Sequence, residues 1–276
     1  MRQRPSASST RRFCYVAQGR VPEIDQLHQI FAGRQLVSLT WDAQRDGSIF
    51  LPKSSWSVGR RTLCQHALAD QTVDYIVFMD GDAITTPAEL DVFEQVVSEL
   101  GPAVAVPRVP KTERYTRKLN LQRYPWVLAY DSDEQFQCFD VRVLRDHLGG
   151  SPYVSEYDEV SWWYPCVLNQ KLIRKHYWRS FIQVNGIEVR NDSHGSYPNS
   201  FDPAFIFSEV KRLGLSTTLP LSAGGRFAGT RLDKRAVSID KRLFSLLSFA
   251  SRWLYQPFNP QASRPSLSRA LKAMIR

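Results

Sequence analysis

The sequence predicts an α/β fold built on a largely parallel sheet that is flanked by helices. Two observations support this prediction. Short apolar runs rich in β-forming residues alternate with segments of helical periodicity from residue 13 to residue 107. The run 75–79 is also largely apolar. Such a run is typical of a strand that is buried on both faces of a parallel sheet.

The amino-terminal part of the chain supplies strands and helices in alternation. These elements are a strand over 13–17, a helix over 21–32, a strand over 36–42, a helix around Leu63 to Leu68, the strand 75–79 and a helix starting at Pro87. Thr85 or Thr86 is expected to cap the last helix, because a threonine oxygen can accept a hydrogen bond from a free helical N–H. The loop 43–57 is predicted to be long and polar.

The following part of the chain continues the pattern less regularly. Strands are predicted over 103–107, 136–141 and 181–185, with helices over 143–147 and 158–176, the latter containing Pro165. Residues 108–135 are polar and aromatic. They are predicted to run over one face of the domain and not to join its core.

Composition excludes several classes of protein. No stretch of the 276 residues approaches the roughly 20 apolar residues of a membrane-spanning helix. Residues 1–12 are basic, polar and predicted to be flexible, and they lack the apolar core of a secretory signal. The cysteines are scattered without metal-ligand spacing, which suits a reducing cytoplasm. They stand at positions 14, 64, 138 and 166.

The excess positive charge is concentrated near the carboxyl terminus. The net charge is +9, and residues 234–276 hold nine basic residues and one acidic residue, a balance of +8. A nearly neutral body argues against a nucleic-acid groove and for a basic appendage. Residues 233–276 are therefore predicted to form basic amphipathic helices, over 240–255 and 266–276.

Such helices suit the surface of an anionic membrane. We therefore expect a cytoplasmic protein with peripheral contact to the inner face of the cytoplasmic membrane. Deleting residues 236–276 should then move the protein into the soluble fraction. In the alternative interpretation, the first helix, which contains Trp253, packs on the body and its charges are only solvated.

Two carboxylates follow the buried strand 75–79 directly. Asp80 and Asp82 are separated only by Gly81. An unpaired charge is costly inside a sheet, so both side chains are expected where the strand emerges, at the edge where open α/β sheets bind ligands. Carboxylate oxygens suit Mg²⁺ or Mn²⁺, which are commonly shared with substrate phosphates. Gly81 allows the backbone to turn and to approach a ligand closely.

Taken in order, these pieces resemble the GT-A glycosyltransferases, which use nucleotide-sugar donors. The resemblance covers roughly residues 13–200 and is strongest from Val73 to Pro87, which looks like the family's Asp-x-Asp motif in its usual context. It implies a GT-A (Rossmann-like) catalytic domain over 13–232 that binds Mn²⁺ or Mg²⁺ through Asp80 and Asp82. A bacterial surface-polysaccharide enzyme is the type that the resemblance favours.

The resemblance also assigns residues to the donor site. Trp41 and Asp42 end the second strand, where the family contacts the nucleotide base. Arg60 opens the helix before the central strand and resembles a basic residue near the donor ribose and phosphates, with the adjacent Arg61 as the alternative. Gly19, which follows the first strand, is also assigned to the donor. A solvated Asp42 beside a core Trp41 is the alternative for the base contact.

A third group of residues is assigned to catalysis by the same resemblance. Asp158 and Glu159 stand before a late helix, where many family members place the catalytic base, and Glu156 is also near. Their order departs from the usual Glu-Asp, so the identity of the base stays open. His194, after the following strand, would complete the metal site. Helix-start carboxylates and a structural histidine are the alternatives.

The implied reaction transfers a sugar to a hydroxyl of a glycan or lipid-linked acceptor. A carboxylate base that deprotonates this hydroxyl describes an inverting enzyme, whereas a retaining enzyme needs no such base. The cluster Asp131, Asp133 and Glu134 is a reserve candidate for the base, although solvated loop charges are the expected interpretation. Within 161–164, an aromatic residue could line the acceptor site or pack in the core.

Two other functions compete with the transferase. Sugar-phosphate nucleotidyltransferases have a similar sheet, but they share a glycine-rich loop after the first strand. This chain has only one glycine there, Gly19. A non-catalytic, membrane-associated scaffold or degenerate nucleotide-binding protein is the other alternative. A scaffold would show no metal-dependent nucleotide binding, which separates it from the transferase.

Overall fold

A computed structural model places the sequence in three dimensions. The residues that it describes are 11–109, 121–129, 132–148, 157, 163–191, 203–215 and 250–258.

The described residues form one eight-stranded sheet and a separate pair of short strands. The strands are β1 (Phe13–Gly19), β2 (Gln35–Thr40), β3 (Ile49–Phe50), β4 (Tyr75–Asp80), β5 (Ala83–Ile84), β6 (Val104–Arg108), β7 (Trp126–Leu128), β8 (Phe136–Asp140), β9 (Phe181–Glu188) and β10 (Arg190–Asn191). The spatial order in the sheet is β3-β2-β1-β4-β8-β6-β9-β7, and β5 pairs with β10.

Most of the sheet is parallel, as the alternation of elements predicts. β1 pairs in parallel with β2 and with β4, and β6 pairs in parallel with β9. β8 lies between β4 and β6 and runs antiparallel to both. The carboxyl ends of β1, β2, β4, β6 and β9 therefore meet at one edge of the sheet, which we call the carboxyl edge.

Helices cover both faces of the sheet. They are α1 (Val21–Ile30), α2 (Trp56–Leu68), α3 (Pro87–Leu100), α4 (Trp163–Tyr177), α5 (Pro203–Arg212) and α6 (Ser251–Leu254), with short helical turns at 121–123, 143–147 and 178–180. Buried residues of α2, α4 and α5 form the core on one face, and those of α1 and α3 form the core on the other. This two-sided cover is what the apolar strand 75–79 predicts.

The central strand β4 belongs to both cores. Ile76 and Phe78 pack toward α2 and α4, whereas Val77 and Met79 pack toward α1 and α3. Each is at most 1% exposed. Burial of a large apolar side chain contributes about 1.5–3 kcal/mol. The strand that carries the two aspartates is therefore among the most firmly held parts of the molecule.

The start of α3 follows the predicted capping pattern. The Thr86 hydroxyl accepts a hydrogen bond from the Glu89 N–H, and the Glu89 carboxylate accepts one from the Thr86 N–H. Pro87 occupies the first helical position, where no N–H is needed. Gly101 ends the helix with φ of 66°, a left-handed conformation that favours glycine. The choice between Thr85 and Thr86 is thus settled for Thr86.

Two loop predictions were wrong in part. The loop 43–57 contains β3, which pairs with Leu39 and Thr40 at the end of β2. The excursion 108–135 contains β7, which pairs with β9 and buries Val127 and Leu128. Strands of two and three residues are too short to show a hydrophobic periodicity in the sequence. Their pairing with β2 and β9 defines them instead.

Residues 250–258, which we call the strap, pack against the body of the protein. The Ser251 hydroxyl accepts a 2.8 Å hydrogen bond from the Leu128 N–H of β7. The Gln256 N–H donates to the Arg179 carbonyl at 2.8 Å, and the Phe258 N–H donates to the Gly101 carbonyl at 3.0 Å. The end of the predicted helix 240–255 is thus a packed segment. No helix in the described residues is long and apolar enough to cross a membrane.

Candidate functional site

The turn that carries the two aspartates is fastened to the end of β1. The Gly81 N–H donates a 2.8 Å hydrogen bond to the Gln18 carbonyl. A Cβ atom added to Gly81 would lie 2.7 Å from the Gly19 Cα, and one added to Gly19 would lie 2.9 Å from the Gly81 Cα. Both positions therefore require glycine for close approach. The contact places Gly19 beside the turn that carries the aspartates.

Asp80 is held by two side chains of α2. The Trp56 Nε1–H donates to Asp80 Oδ1 at 3.0 Å, and Arg60 Nη2 donates to the same oxygen at 2.6 Å. The Arg60 guanidinium lies 4.4 Å from the centroid of the Trp56 ring and is 1% exposed. A buried guanidinium needs such partners, because an unpaired charge is costly away from water. Trp56, Arg60 and Asp80 therefore form one closed cluster.

The cluster fixes how Asp80 can meet a ligand. Both hydrogen bonds end on Oδ1, so in the described structure Oδ2 is the oxygen left for a cation, a water or a ribose hydroxyl. Arg60 contacts Asp80 instead of standing open at the surface. Its nearest effect is thus on the carboxylate, and a direct contact of Arg60 with donor phosphates stays a prediction. Arg60, and not Arg61, is the residue in this cluster.

Asp82 lies beside the strand that leads toward His194. Asp82 is partly exposed and directly precedes β5. In the antiparallel pair of β5 and β10, Ala83 is opposite Asn191. Asn191, the last described residue before His194, is therefore opposite the residue that follows Asp82. A metal site that joins Asp82 to His194 stays a prediction.

Trp41 and Asp42 lie at the carboxyl edge, just after β2. Trp41 is 36% exposed, so it is not the core tryptophan of the alternative interpretation. One oxygen of Asp42 accepts a 3.1 Å hydrogen bond from the Val21 N–H at the start of α1. The carboxylate is thus held in place at a helix amino terminus, and its second oxygen can accept from a base N–H.

Sequence reasoning missed two residues of this site. Trp56 lies in the predicted loop 43–57, where nothing marks it as a partner of Asp80. The Glu23 carboxylate accepts a 2.7 Å hydrogen bond from the Arg20 N–H. It also lies close to both Gly19 and Gly81, because a Cβ atom added to these glycines would be 2.9 and 3.1 Å from its Oε2. The capping position of Glu23, three residues after Arg20, was the available signal.

The acidic segment before β8 also reaches the carboxyl edge. The segment was predicted to carry solvated loop charges, and this prediction is wrong for Glu134. Glu134 is 8% exposed and accepts a 2.7 Å hydrogen bond from Gln170 of α4. The Asp80 N–H donates to the Gln135 carbonyl at 3.0 Å, which brings the segment against β4. Antiparallel pairing of β8 with β4 causes this approach.

The pKa of the Cys166 thiol is shifted by charged side chains in this part of the site. Burial raises the pKa of Cys166 well above its usual range, and the charge of Glu134 raises it further. Asp80 and Asp133 act in the same direction, whereas Arg60 opposes them. Asp80, Asp133, Glu134 and Arg60 thus all lie near enough to this buried thiol for their charges to act on it.

The aromatic run 161–164 is described only in part. Tyr164 is buried against Tyr157 and Phe205, with ring centroids 6.1 and 5.0 Å away. It therefore packs in the core and does not line an acceptor site.

Several predicted site residues lie outside the described residues. They are Asp131, Glu156, Asp158, Glu159, Ser161, Trp162 and His194. Within the described part, no group of three or more His, Cys, Asp or Glu residues is positioned to hold a metal ion. Asp80 and Asp82 have the hard oxygen ligands that Mn²⁺ or Mg²⁺ prefers, so they fit a cation that takes its remaining ligands from elsewhere.

Comparison with known proteins rests on structure. No sequence-family model matches the chain, and no curated protein matches it in sequence. GalNAc-T7 with UDP, GalNAc and Mn²⁺ matches with a TM-score of 0.52 and 8% identity, over 88% of this chain and 57% of that one. The chain has the GT-A fold. The predicted fold class is therefore confirmed.

Two further solved structures resemble the chain more loosely. S. aureus TarS 1-349 in complex with UDP-GlcNAc matches with a TM-score of 0.47 and 11% identity, over 96% of this chain and 88% of that one. Mannosyltransferase PcManGT from Pyrobaculum calidifontis, in complex with GDP-Man and Mn²⁺, matches with a TM-score of 0.43 and 13% identity, over 99% and 90%. At sequence identities this low, structural similarity shows the fold alone.

Proposed function

We propose that this GT-A chain is a metal-dependent glycosyltransferase that moves a sugar from a nucleotide-diphosphate donor to an acceptor hydroxyl. The observation that carries the proposal is the turn Asp80–Asp82 at the carboxyl edge. It is locked to β1 by the contact of Gly19 with Gly81 and oriented by the hydrogen bond from Trp56. Open α/β sheets bind ligands at this edge.

In this proposal Asp80, Asp82 and His194 hold Mn²⁺ or Mg²⁺. A bound cation would neutralise the negative charge that develops on the leaving nucleoside diphosphate. Asp82 is the better direct ligand, because one oxygen of Asp80 already accepts two hydrogen bonds from α2. Asp80 then presents its other oxygen to the ribose or to water on the cation.

The donor nucleotide would lie over the ends of β1 and β2. The exposed ring of Trp41 can cover a flat base, and Asp42 can accept from a base N–H. Gly19 leaves room for the ligand beside the aspartates, and Arg60 keeps Asp80 in place. The similar structure of GalNAc-T7, which contains UDP and GalNAc, supports a nucleotide-sugar donor without specifying which one.

A carboxylate would act as the base of an inverting transfer. Asp158 or Glu159 is the proposed base, with Glu156 as an alternative. The base accepts the proton of the acceptor hydroxyl as its oxygen attacks the anomeric carbon, and the nucleoside diphosphate leaves. Asp133 and Glu134 remain reserve candidates, supported by the contact of their segment with β4, where the Asp80 N–H donates to the Gln135 carbonyl. The acceptor is a glycan or a lipid-linked sugar, in a setting such as bacterial surface-polysaccharide assembly.

The experiment is a screen of nucleotide sugars for Mn²⁺-dependent donor hydrolysis, followed by calorimetric titration of the matching nucleoside diphosphate. We expect binding that requires Mn²⁺ and falls at least about 100-fold in Asp82→Asn, because a charged ligand to the cation is lost. The control is Asp46→Asn, which changes an exposed carboxylate of the loop after β2. Unchanged binding and transfer in Asp82→Asn would refute the proposal, and a scaffold would show no metal-dependent binding at all.

A further inference from the structure

A surface of aromatic and basic side chains lies where the strap meets the edge strand β7. We call it the aromatic–basic patch. Its members are Arg123, Tyr124, Trp126, Arg252, Trp253 and Tyr255. Three of them come from the turn and strand at 121–128 and three from the strap. The patch forms part of the rim of the sheet that lies farthest from β3 in strand order.

Contacts within the patch join the strap to the segment 121–128. The Arg123 guanidinium donates a 2.9 Å hydrogen bond to the Tyr124 hydroxyl. The Arg252 guanidinium lies 5.7 Å from the centroid of the same tyrosine ring. The rings of Trp126 and Tyr255 meet edge to face at 5.1 Å. Arg123 and Arg252, which come from two distant parts of the chain, thus meet at the Tyr124 side chain.

Trp253 projects from this surface. It is 76% exposed, whereas the other exposed large apolar side chains in the described residues are 36–40% exposed. The strap causes this exposure, because Ser251 is buried against β7 and the Tyr255 hydroxyl donates to the Leu100 carbonyl at 2.8 Å. Residues on both sides of Trp253 are therefore fixed, and its indole faces solvent. Covering such an indole would remove apolar surface from water, which is favourable.

The charge around Trp253 indicates what covers it. The patch contains two arginines and no acidic residue. The chain that follows the strap is also basic, since residues 259–276 contain Arg264, Arg269, Lys272 and Arg276 and no acidic residue. Tryptophan and tyrosine prefer the boundary between lipid headgroups and acyl chains, and arginine binds lipid phosphates. The aromatic rings suit the headgroup boundary and the arginines suit the lipid phosphates, so this rim matches the surface of an anionic bilayer.

We infer that the aromatic–basic patch docks on the surface of an anionic membrane. Trp253 enters the headgroup boundary, and Arg123 and Arg252 bind the phosphates of anionic lipids. This surface differs from the face expected from the sequence, where a helix over 240–255 makes the contact. Here the folded rim of the sheet supplies half of the contact residues. The inference is independent of the proposed function, because it uses no residue of the carboxyl edge.

The test measures binding of the full chain to vesicles of phosphatidylcholine that contain about one-third phosphatidylglycerol. We expect the protein to sediment with these vesicles and not with pure phosphatidylcholine. Arg123→Gln combined with Arg252→Gln should weaken binding on the order of 30-fold, because each basic residue near the surface contributes about fivefold. The matched control is Arg20→Gln combined with Lys53→Gln, two exposed cations next to β1 and β3.

A second readout follows Trp253 itself. Brominated lipids quench tryptophan fluorescence at the headgroup boundary, so we expect quenching in the wild type and much less in Trp253→Phe. The inference fails if the protein does not bind anionic vesicles, or if the control pair weakens binding as much as the patch pair. It also fails if an acidic polymer such as heparin binds equally well while brominated lipid leaves the fluorescence unchanged. That last result would assign the patch to a soluble polyanion.

Discussion

The two sides of the sheet are built in different ways. On the side of β1, β2 and β4, strands alternate with helices, neighbouring strands are parallel, and the site residues lie at strand ends or helix starts. On the side of β6, β9 and β7, the chain crosses the sheet more irregularly, and β8 and β7 run antiparallel to their neighbours. The strap, from the end of the chain, completes this second side.

The two sides also differ in the contacts nearest to their functional surfaces. On the first side, backbones approach closely at the carboxyl edge, where Gly19 meets Gly81. On the second side, hydrogen bonds of the strap, such as those of Ser251 and Tyr255, join residues far apart in sequence. Substitutions should therefore affect ligand binding strongly on the first side and mainly stability on the second. Three predictions test this contrast, and a fourth concerns the dependence of stability on pH.

The largest effect is expected for Gly81→Ala. The new Cβ would lie 2.7 Å from the Gly19 Cα and 2.9 Å from the Gln18 carbonyl oxygen, so backbone must move. We expect a loss of about 3 kcal/mol in the free energy of unfolding and loss of Mn²⁺-dependent nucleotide binding. Denaturant titration and calorimetry measure the two effects.

The matched control lies on the second side. Gly186→Ala in β9 meets Val92 Cγ1 at 2.4 Å, but Val92 is 40% exposed and its side chain can turn away. We expect a loss below about 1 kcal/mol and unchanged nucleotide binding. Equal losses for the two alanine variants would remove the contrast between the two sides.

Trp56→Phe should weaken nucleotide binding without unfolding the protein. The phenylalanine ring can still lie against Arg60, but the N–H that bonds Asp80 is lost. A hydrogen bond to a charged group contributes about 1.5–3 kcal/mol, so we expect an affinity loss of about tenfold or more in the presence of Mn²⁺. Trp253→Phe is the control for loss of an indole. A changed melting temperature with unchanged affinity would give Trp56 a purely structural role.

Tyr255→Phe should lower stability alone. The variant loses the 2.8 Å hydrogen bond from the strap to the Leu100 carbonyl, which is worth about 1 kcal/mol. We expect one cooperative unfolding transition with a lower midpoint and unchanged nucleotide affinity. If the midpoint stays constant while amides of residues 250–258 exchange faster, the strap opens independently of the sheet. Tyr15→Phe, which loses a hydrogen bond to Glu94, is the counterpart on the first side.

The smallest effect concerns His28 on α1. Burial lowers its pKa from the ordinary 6.5, Arg45 lowers it further, and Asp25 opposes the shift. The Ser38 hydroxyl also faces the ring at 3.3 Å. As pH falls through 6.5, the unfolded chain therefore binds the proton before the folded chain does, and stability declines. His28→Gln should reduce the fall in melting temperature between about pH 7 and about pH 5, and an unchanged fall would contradict this.

Much of the fold could be predicted because its signals are local. The apolar run of β4, the cap at Thr86 and the helical periodicity of α3 each depend on neighbouring residues. The pairing of β8 does not, because a buried strand shows the same apolar pattern in either direction. The short strands β3 and β7 were missed because their pairing with β2 and β9, and not their own sequence, defines them.

The candidate site could be predicted only in outline. Asp80 and Asp82 stand out because two carboxylates directly follow a buried strand. Trp56 and Glu134 do not stand out, because an indole in a loop and a carboxylate among others have no distinctive spacing. Their roles depend on α2 and α4 packing against one face of the sheet. The roles of Asp158, Glu159 and His194 remain predictions from the resemblance.

The short pair of β5 and β10 has a consequence for the order of folding. It joins Ala83 to Asn191, more than one hundred residues later. Closing a loop of that length costs about 4 kcal/mol of chain entropy, so the pair forms after the local strands and helices of the first side. A chain still on the ribosome can thus present Asp80 and Asp82 long before their neighbouring strand is made.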